Sequence, residues 1–347
     1  MQYLREHLPE LTGKTIFVRT NYDVPIKDGQ VQDTTRIEDS LPTLRDLLEN
    51  GCKLVLGAHL GRPDGQVDPE MSLQPVQALL EQYLGETVIL QPTIDQAAVK
   101  NSPARIILLE NLRYFPGETE NDPQFAQQLA DLADAYVNEA FANCHRKHAS
   151  VVAITQLLPS YAGLSLEREI TVLLKVRNHP ESPLVLIVGG AKVETKIPLF
   201  ETFKDKAEHL LAGGLIGPNL PEEYHHIPGL DIAELLPDQK DITQDAANRF
   251  ADKIMHAKTV IWNGTMGVFE DENYRLGTDI IAHAIDSTDA FTVIGGGDTE
   301  AALKVLDLEA NIDHISTGGG AMLDLLSDGN LVALQALDQA SNAKSDN

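Results

Sequence analysis

The sequence predicts an α/β protein built from two doubly wound parallel-sheet domains joined by a connecting helix. Short β-rich apolar runs alternate with helix-like segments, the runs are continuously apolar rather than alternating, and the whole pattern restarts midway. Continuous apolar strands separated by helices mark a parallel sheet covered on both faces. With 347 residues, 43% of them hydrophobic, the chain is long enough to bury two cores.

In the first half the strand-like runs are 15–19, 53–56, 88–90, 106–109 and 135–137, separated by helix-like segments such as 38–50, 73–84 and 123–132. The loops after four of them read TNYDVP, GAHLGRP, ENLRYFPGE and NEAFANCHRKHAS. In an open parallel sheet ligands bind outside the carboxyl ends of the strands, so these loops are expected to converge. Arg19, Arg36, His59, Arg62, Arg113 and Arg146 lie on them or just beyond. Guanidinium and imidazole groups gathered in this way suit a small, highly charged acid.

A helix over 166–178 and the turn-rich loop NHPESP lead into the second half. Its strand-like runs are 184–188, 209–211, 259–262, 291–294 and 314–316, and each is followed by glycine: GGAK, AGG, NGTMG, GGGDT and TGGGA. Glycine lets backbone approach a ligand closely, and a helix beginning there points free N–H groups and a positive dipole end at it. The guest this favours is a phosphate. Asp298, beside such a cradle, suggests magnesium held between carboxylate and nucleotide phosphates. The expected boundaries are a first domain at 1–165, the connecting helix at 166–178 and a second domain at 179–328. A tail at 329–347 packs back on the first domain, with the polar stretch from Ala336 loosely held.

Composition excludes several classes. A formal net charge of −25 argues against nucleic acid or an anionic membrane as partner. No apolar run reaches the roughly 20 residues of a membrane span, and the N-terminus lacks a signal-peptide pattern. Two cysteines, Cys52 and Cys144, fit a reducing compartment rather than a disulfide framework. The expectation is a cytoplasmic monomer.

The motifs RTNYDVP with TTRI, AHLGRP, LLENLRY, HRKHAS, VGGAKVETKI, WNGTMGVFE, GGGDTEAAL and ISTGGGAMLDLL occur in one order from about Val18 to Leu326. In them the chain resembles the phosphoglycerate kinases. The resemblance implies two Rossmann-like domains and reversible phosphoryl transfer between 1,3-bisphosphoglycerate and MgADP, giving 3-phosphoglycerate and MgATP. By the same resemblance the glycerate pocket falls on Asn21, Asp23, Arg36, His59, Leu60, Gly61, Arg62, Arg113 and Arg146. The nucleotide site falls on Gly190, Ala191, Lys192, Lys196, Gly213, Gly214, Asn263, Glu270, Gly296, Gly297, Asp298 and Thr299, with Glu270 toward the ribose and Asp298 toward magnesium. Arg36, Lys196, Gly297 and Gly319 are implied as the catalytic groups, and Gly318 to Gly320 as a second backbone cradle. The cofactor implied is Mg2+ with ADP or ATP.

The chain departs from the family pattern at identifiable places. Asn21-Tyr22-Asp23 exchanges the usual amide and carboxylate, which would face the same way if the first strand continued through them. Ala58, Thr265 and Ala142-Asn143 replace the usual serine, proline and Gly-Thr. The interval from Lys196 to Trp262 is several dozen residues shorter, in the stretch that walls the adenine pocket, so the second domain is a shortened one. A second reading is therefore a non-catalytic relative that binds phosphoglycerate or nucleotide. Without the motif context, His59 reads as a core histidine, Glu270 as surface charge and Asp298 as a helix cap. HRKH lacks the cysteine or carboxylate partners of a zinc site.

Overall fold

A computed structural model describes residues 1–345 of the chain, which divide into two compact units: Met1–Ile170 with the described residues from 330 on, and Thr171–Gly329. The division falls inside the helix Leu164–Asn178. Among the described residues no helix is long and apolar enough to cross a membrane.

The first unit contains β1 (Thr15–Arg19), β2 (Ile26–Lys27), β3 (Gln30–Val31), β4 (Lys53–Gly57), β5 (Val88–Gln91), β6 (Ile106–Leu109), β7 (Ala135–Asn138) and β8 (Ser160–Ala162). Six of them form a parallel sheet in the order β5-β6-β4-β1-β7-β8, while β2 and β3 make a small antiparallel hairpin. Strands β1, β4, β6 and β7 are buried on both faces, as their unbroken apolar runs predict; Val18, Leu54, Leu56, Ile106 and Val137 join one core with Ile37, Leu44 and Leu80 from the helices. Arg19 is level with Gly57 on one side and Asn138 on the other. The loops leaving β1, β4 and β7 therefore start at the same height.

The second unit contains β9 (Leu184–Val188), β10 (His209–Ala212), β11 (Leu230–Ile232), β12 (Thr259–Asn263), β13 (Phe291–Gly295) and β14 (His314–Ser316). These are also parallel, in the order β11-β10-β9-β12-β13-β14. The chain winds outward from β9 in one direction and from β12 in the other, which makes the β9/β12 boundary a switch point where a crevice opens at the strand ends. Trp262, wholly buried, sits in the core with Ile187, Phe250 and Met266.

The second sheet has six strands among the described residues where the sequence shows five, and the sixth lies in the shortened stretch. That stretch builds the edge strand β11 and a tight turn closed by the bridge between Leu235 and Ile242, then enters the helix Gln244–Met255, whose first turn Thr243 Oγ1 caps by accepting from Ala246 N at 3.2 Å. Contrary to expectation, the stretch from Ala336 is not loosely held. It belongs to the helix Val332–Ser345, which buries Ala333, Leu334, Ala336 and Leu337 in the first unit, and the amino terminus of Met1 pairs with Asp338 at 2.6 Å. The apolar residues recur at helical spacing and outweigh the polar ones between them. The final two residues lie outside those described.

Candidate active site

The first unit gathers its cations at the ends of β1, β4, β6 and β7. β1 stops at Arg19, so residues 20–25 belong to no strand. The condition under which Asn21 and Asp23 would face the same way, a strand continuing through them, is therefore not met. Asn21 is buried and its Nδ2 has no hydrogen-bond acceptor among the described residues. A buried amide donor of this kind is expensive unless something else accepts its proton. Asp23 is partly open. Its Oδ1 accepts from Gly61 N at 2.9 Å, its Oδ2 lies 3.5 Å from His59 Nε2, and its carbonyl oxygen accepts from Arg36. Burial alone would raise the Asp23 pKa, but the His59 contact, the Gly61 N–H and Arg36 outweigh it and hold the carboxylate well below its usual range.

His59 is buried, and its Nδ1 lies 3.1 Å from the Arg19 guanidinium. Arginine has no acceptor, so Nδ1 must be the acceptor and the ring proton sits on Nε2, facing Asp23. Burial lowers the His59 pKa to about 4, Asp23 opposing and Arg19 and Arg113 assisting. The ring is therefore a neutral donor at physiological pH.

Arg19 itself is fully buried, and its Nε donates to Ser150 Oγ at 2.7 Å. Ser150 Oγ donates to Glu118 Oε1 at 2.6 Å, and Glu118 lies 3.8 Å from both Arg19 and His148. This layer supports the site from beneath. Arg113 Nη1 donates to Gly61 O at 2.6 Å; burial, then the neighbouring Arg146, bring its pKa to about 10. Arg146 Nε donates to His145 Nε2 at 3.1 Å, while Arg62 is exposed on the β4 loop. Leu60 is buried and offers its carbonyl to Asn111 Nδ2 at 2.7 Å; Gly61 is in the left-handed region, where a Cβ would meet Met71 Sδ at 2.7 Å.

In the second unit the glycine turns press backbone against backbone. A Cβ at Gly264 would come within 2.2 Å of Gly189 O, and one at Gly189 within 2.3 Å of Thr265 O. Neither position tolerates a side chain. Asn263, at the end of β12, accepts from Lys196 Nζ at Oδ1 and donates from Nδ2 to Gly295 O at 2.6 Å. Thr299 Oγ1 accepts from Gly264 N at 2.8 Å. These bonds tie Lys196 through Asn263 to Gly295, and Thr299 to Gly264 next to Asn263 in sequence. Burial lowers the Lys196 pKa to about 8, Asp298 opposing.

The helix Gly297–Leu306 begins at Gly296 and Gly319–Asp328 at Gly318, neither with a side-chain cap. A Cβ on Gly319 would approach Gly296 Cα to 2.9 Å, so the two helix starts are neighbours. Around Gly297 the space is open. Two uncapped helix starts with backbone N–H groups form an anion cradle, and Lys196 adds a charge beside it. Asp298 is exposed and does not cap the helix. Among the described residues no group of three or more His, Cys, Asp or Glu could hold a metal. One free carboxylate beside a phosphate cradle suits magnesium bound chiefly by phosphate and water.

A pocket of about 310 Å³ is lined by Gly190, Ala191, Gly214, Leu215, Gln239, Lys240, residues 265–270 and Asp298. Glu270 is exposed at it, Gly213 lies behind it against Met266, and Lys192 is exposed nearby in sequence but does not line it. Sequence reasoning missed Gln239 and Lys240 here and the buried Glu118–Ser150 pair in the first unit. The signal for the first two was the turn dipeptide Pro237-Asp238; the second pair carries none.

The phosphoglycerate kinase family model matches residues 6–226 and 231–329. The chain is 37% identical to phosphoglycerate kinase of Moorella thermoacetica over 95% of its own length and 98% of that protein's. It is 39% identical to that of Acaryochloris marina over 95% and 97%. The Moorella alignment runs to 383 positions, so several dozen have no counterpart in a 347-residue chain. Among solved structures it is similar to phosphoglycerate kinase of Coxiella burnetii (TM-score 0.82, 30% identity, 95% of this chain and 97% of that one). It is similar also to that of Pyrococcus horikoshii (TM-score 0.85, 26% identity, 99% and 100%). Sharing the family's motifs, two parallel sheets and near full-length matches, the chain belongs to the phosphoglycerate kinase family.

Proposed function

We propose that this chain catalyses reversible phosphoryl transfer between 1,3-bisphosphoglycerate and MgADP, with the glycerate bound by the first unit and the nucleotide by the second. The observation that carries this assignment is the contrast between the two sites. One is made of arginine and imidazole side chains around an orphaned amide, the other of glycine backbone around a buried lysine.

In the direction of ATP synthesis an ADP β-phosphate oxygen attacks the acyl phosphorus. The bond from phosphorus to the acyl oxygen breaks, and 3-phosphoglycerate leaves as its carboxylate. A loose transition state spreads charge over three equatorial oxygens, so positioning and electrostatics carry the rate. Arg113, Arg146 and Arg62 suit the substrate phosphate and carboxyl groups. Arg36, fixed through its bond to the Asp23 carbonyl, suits the phosphoryl group in flight together with Lys196. Asn21 Nδ2 and the Asp23–His59 pair suit the glycerate hydroxyl and carboxyl end. Asp298 would hold magnesium, which screens the nucleotide phosphates. The Gly297 and Gly319 N–H groups, at two uncapped helix starts, would donate to those phosphates.

The named relatives support an active phosphotransferase rather than a non-catalytic binding module. The reading also takes the protein as a cytoplasmic monomer using ADP or ATP. A coupled assay with 3-phosphoglycerate and MgATP tests it, with Arg36→Ala as control. Turnover no greater than that of the control would overturn it.

A further inference from the structure

The pocket beside the phosphate cradle has one wall that the resemblance does not explain. It is formed by the turn at 236–241, in the stretch where this chain is short. Gln239 and Lys240 line the same 310 Å³ space as Gly214, Glu270 and Asp298. That volume is at the low end of small-molecule sites.

The turn is firmly built. Leu236 N donates to Asp241 O and Gln239 N to Leu236 O, each at 2.9 Å, and Val268 N donates to Lys240 O at 2.9 Å. The Asp241 carboxylate is buried and accepts from Ile242 N at 2.8 Å and Gly277 N at 2.9 Å. Gly267 and Gly277 lack side chains where that carboxylate sits; a Cβ on either would lie 2.4 or 2.6 Å from Asp241 Oδ1. Gln239 is held at φ +60°, a conformation non-glycine residues seldom adopt, at the tip that borders the pocket.

The side chains offered there suit a flat heterocycle. Val268 is 45% exposed, although nearly all large apolar residues of the chain are covered. Lys240, which lines the pocket, lays its ammonium 4.6 Å from the centre of the Tyr274 ring, and a lysine so held has an apolar methylene stem to offer beside its charge. The exposed Gln239 carboxamide carries a donor and an acceptor, the two functions found along the edge of a purine base. Resting on the nucleotide reading above, we propose that the turn 236–241 is the base-side wall of the nucleotide site, with Gln239 and Lys240 the side chains that contact the purine.

Binding measured without 3-phosphoglycerate tests this, with MgADP and Mg-pyrophosphate as the two titrants. Pyrophosphate has no base. Gln239→Gly removes the amide and accommodates the positive φ, and it is combined with Lys240→Ala. The double variant is expected to bind MgADP about five- to tenfold more weakly, with Mg-pyrophosphate affinity and the KM for 3-phosphoglycerate changed less than twofold. Unchanged MgADP affinity overturns the proposal. So does an equal loss for both titrants, since the turn would then act on the phosphate end or on folding. Wild-type protein that binds pyrophosphate but not MgADP would overturn the wall while leaving the cradle. Wild-type protein that binds neither would overturn the nucleotide reading and this one with it.

Discussion

Arg36 and Lys196 are the residues on which the chemistry should turn most sharply. Arg36→Ala is expected to lower kcat on the order of 10³-fold, the range found where one arginine meets a phosphoryl group in transfer. Circular dichroism of the variant should be unchanged, since the residue is only half-buried. Lys196 makes a protonation prediction. Its pKa of about 8 in the free protein reflects burial, and bound phosphates would favour the ammonium form. Near pH 8.5 the free lysine is largely neutral, so MgADP binding should take up a proton. Calorimetric heats measured in Tris and in HEPES would then differ, and equal heats would contradict the lysine's contact with phosphate. Both residues were legible in the sequence as members of motifs. Arg19 was equally visible, but its role was not: a buried Arg19, clasped by Ser150 and Glu118 from distant parts of the chain, looks in sequence like any other arginine of the set.

At the scale of elements, the strands were the most legible part, because a buried parallel strand needs an unbroken apolar run and glycine marks its end. β8 and β11 were missed. SYA and LDI are too short and mixed for a periodicity argument, and both are edge strands placed by their neighbours. The turn at 236–241 was missed because PDQKD reads as a solvated loop, and only the folded chain brings it to Val268.

Helix Leu164–Asn178 shows an element held by a titratable group. Glu139 Oε1 accepts from Ser165 N and from Thr43 Oγ1, each at 2.9 Å, and Thr43 Oγ1 accepts from Leu164 N at 2.9 Å. Glu139 is buried, its Oε2 has no partner among the described residues, and burial raises its pKa to about 8 despite those bonds. An unfolded glutamate releases its proton near pH 4.3. Between there and pH 8 the folded state binds more protons than the unfolded one, so this group's contribution falls as pH rises, by at most about 1.4 kcal/mol per unit. Glu139→Gln should keep the acceptor and abolish the slope. Urea unfolding of both proteins at pH 5.5 and 7.5 should show the variant gaining relative stability at the higher pH. A difference that does not change with pH would refute the assignment.

For the molecule as a whole, two units with separate cores and separate sites should answer to different ligands. In hydrogen exchange, 3-phosphoglycerate is expected to slow backbone amides in 20–24, 58–62 and 111–114. MgADP should slow those in 189–196, 213–215, 263–270 and 296–299. Protection of the same segments by each ligand alone would contradict the division. The helix Val332–Ser345 is a second whole-molecule feature, because it belongs to the first unit although it follows the second in the chain. Leu337→Ala, at a fully buried position, should cost about 2–5 kcal/mol, and the loss should appear in the unfolding of the first unit.

That last connection has a consequence on the ribosome. Residues 1–170 emerge before the second unit, but the helix that completes their unit is made only after all of Thr171–Gly329. At about 5–20 residues per second the wait is roughly 10 to 30 s. During it the surface that Leu334 and Leu337 will cover is open to the surrounding solution. The second unit, continuous in sequence, has no comparable wait for a distant element. The first half of this chain is therefore the half that a nascent-chain chaperone would find unfinished.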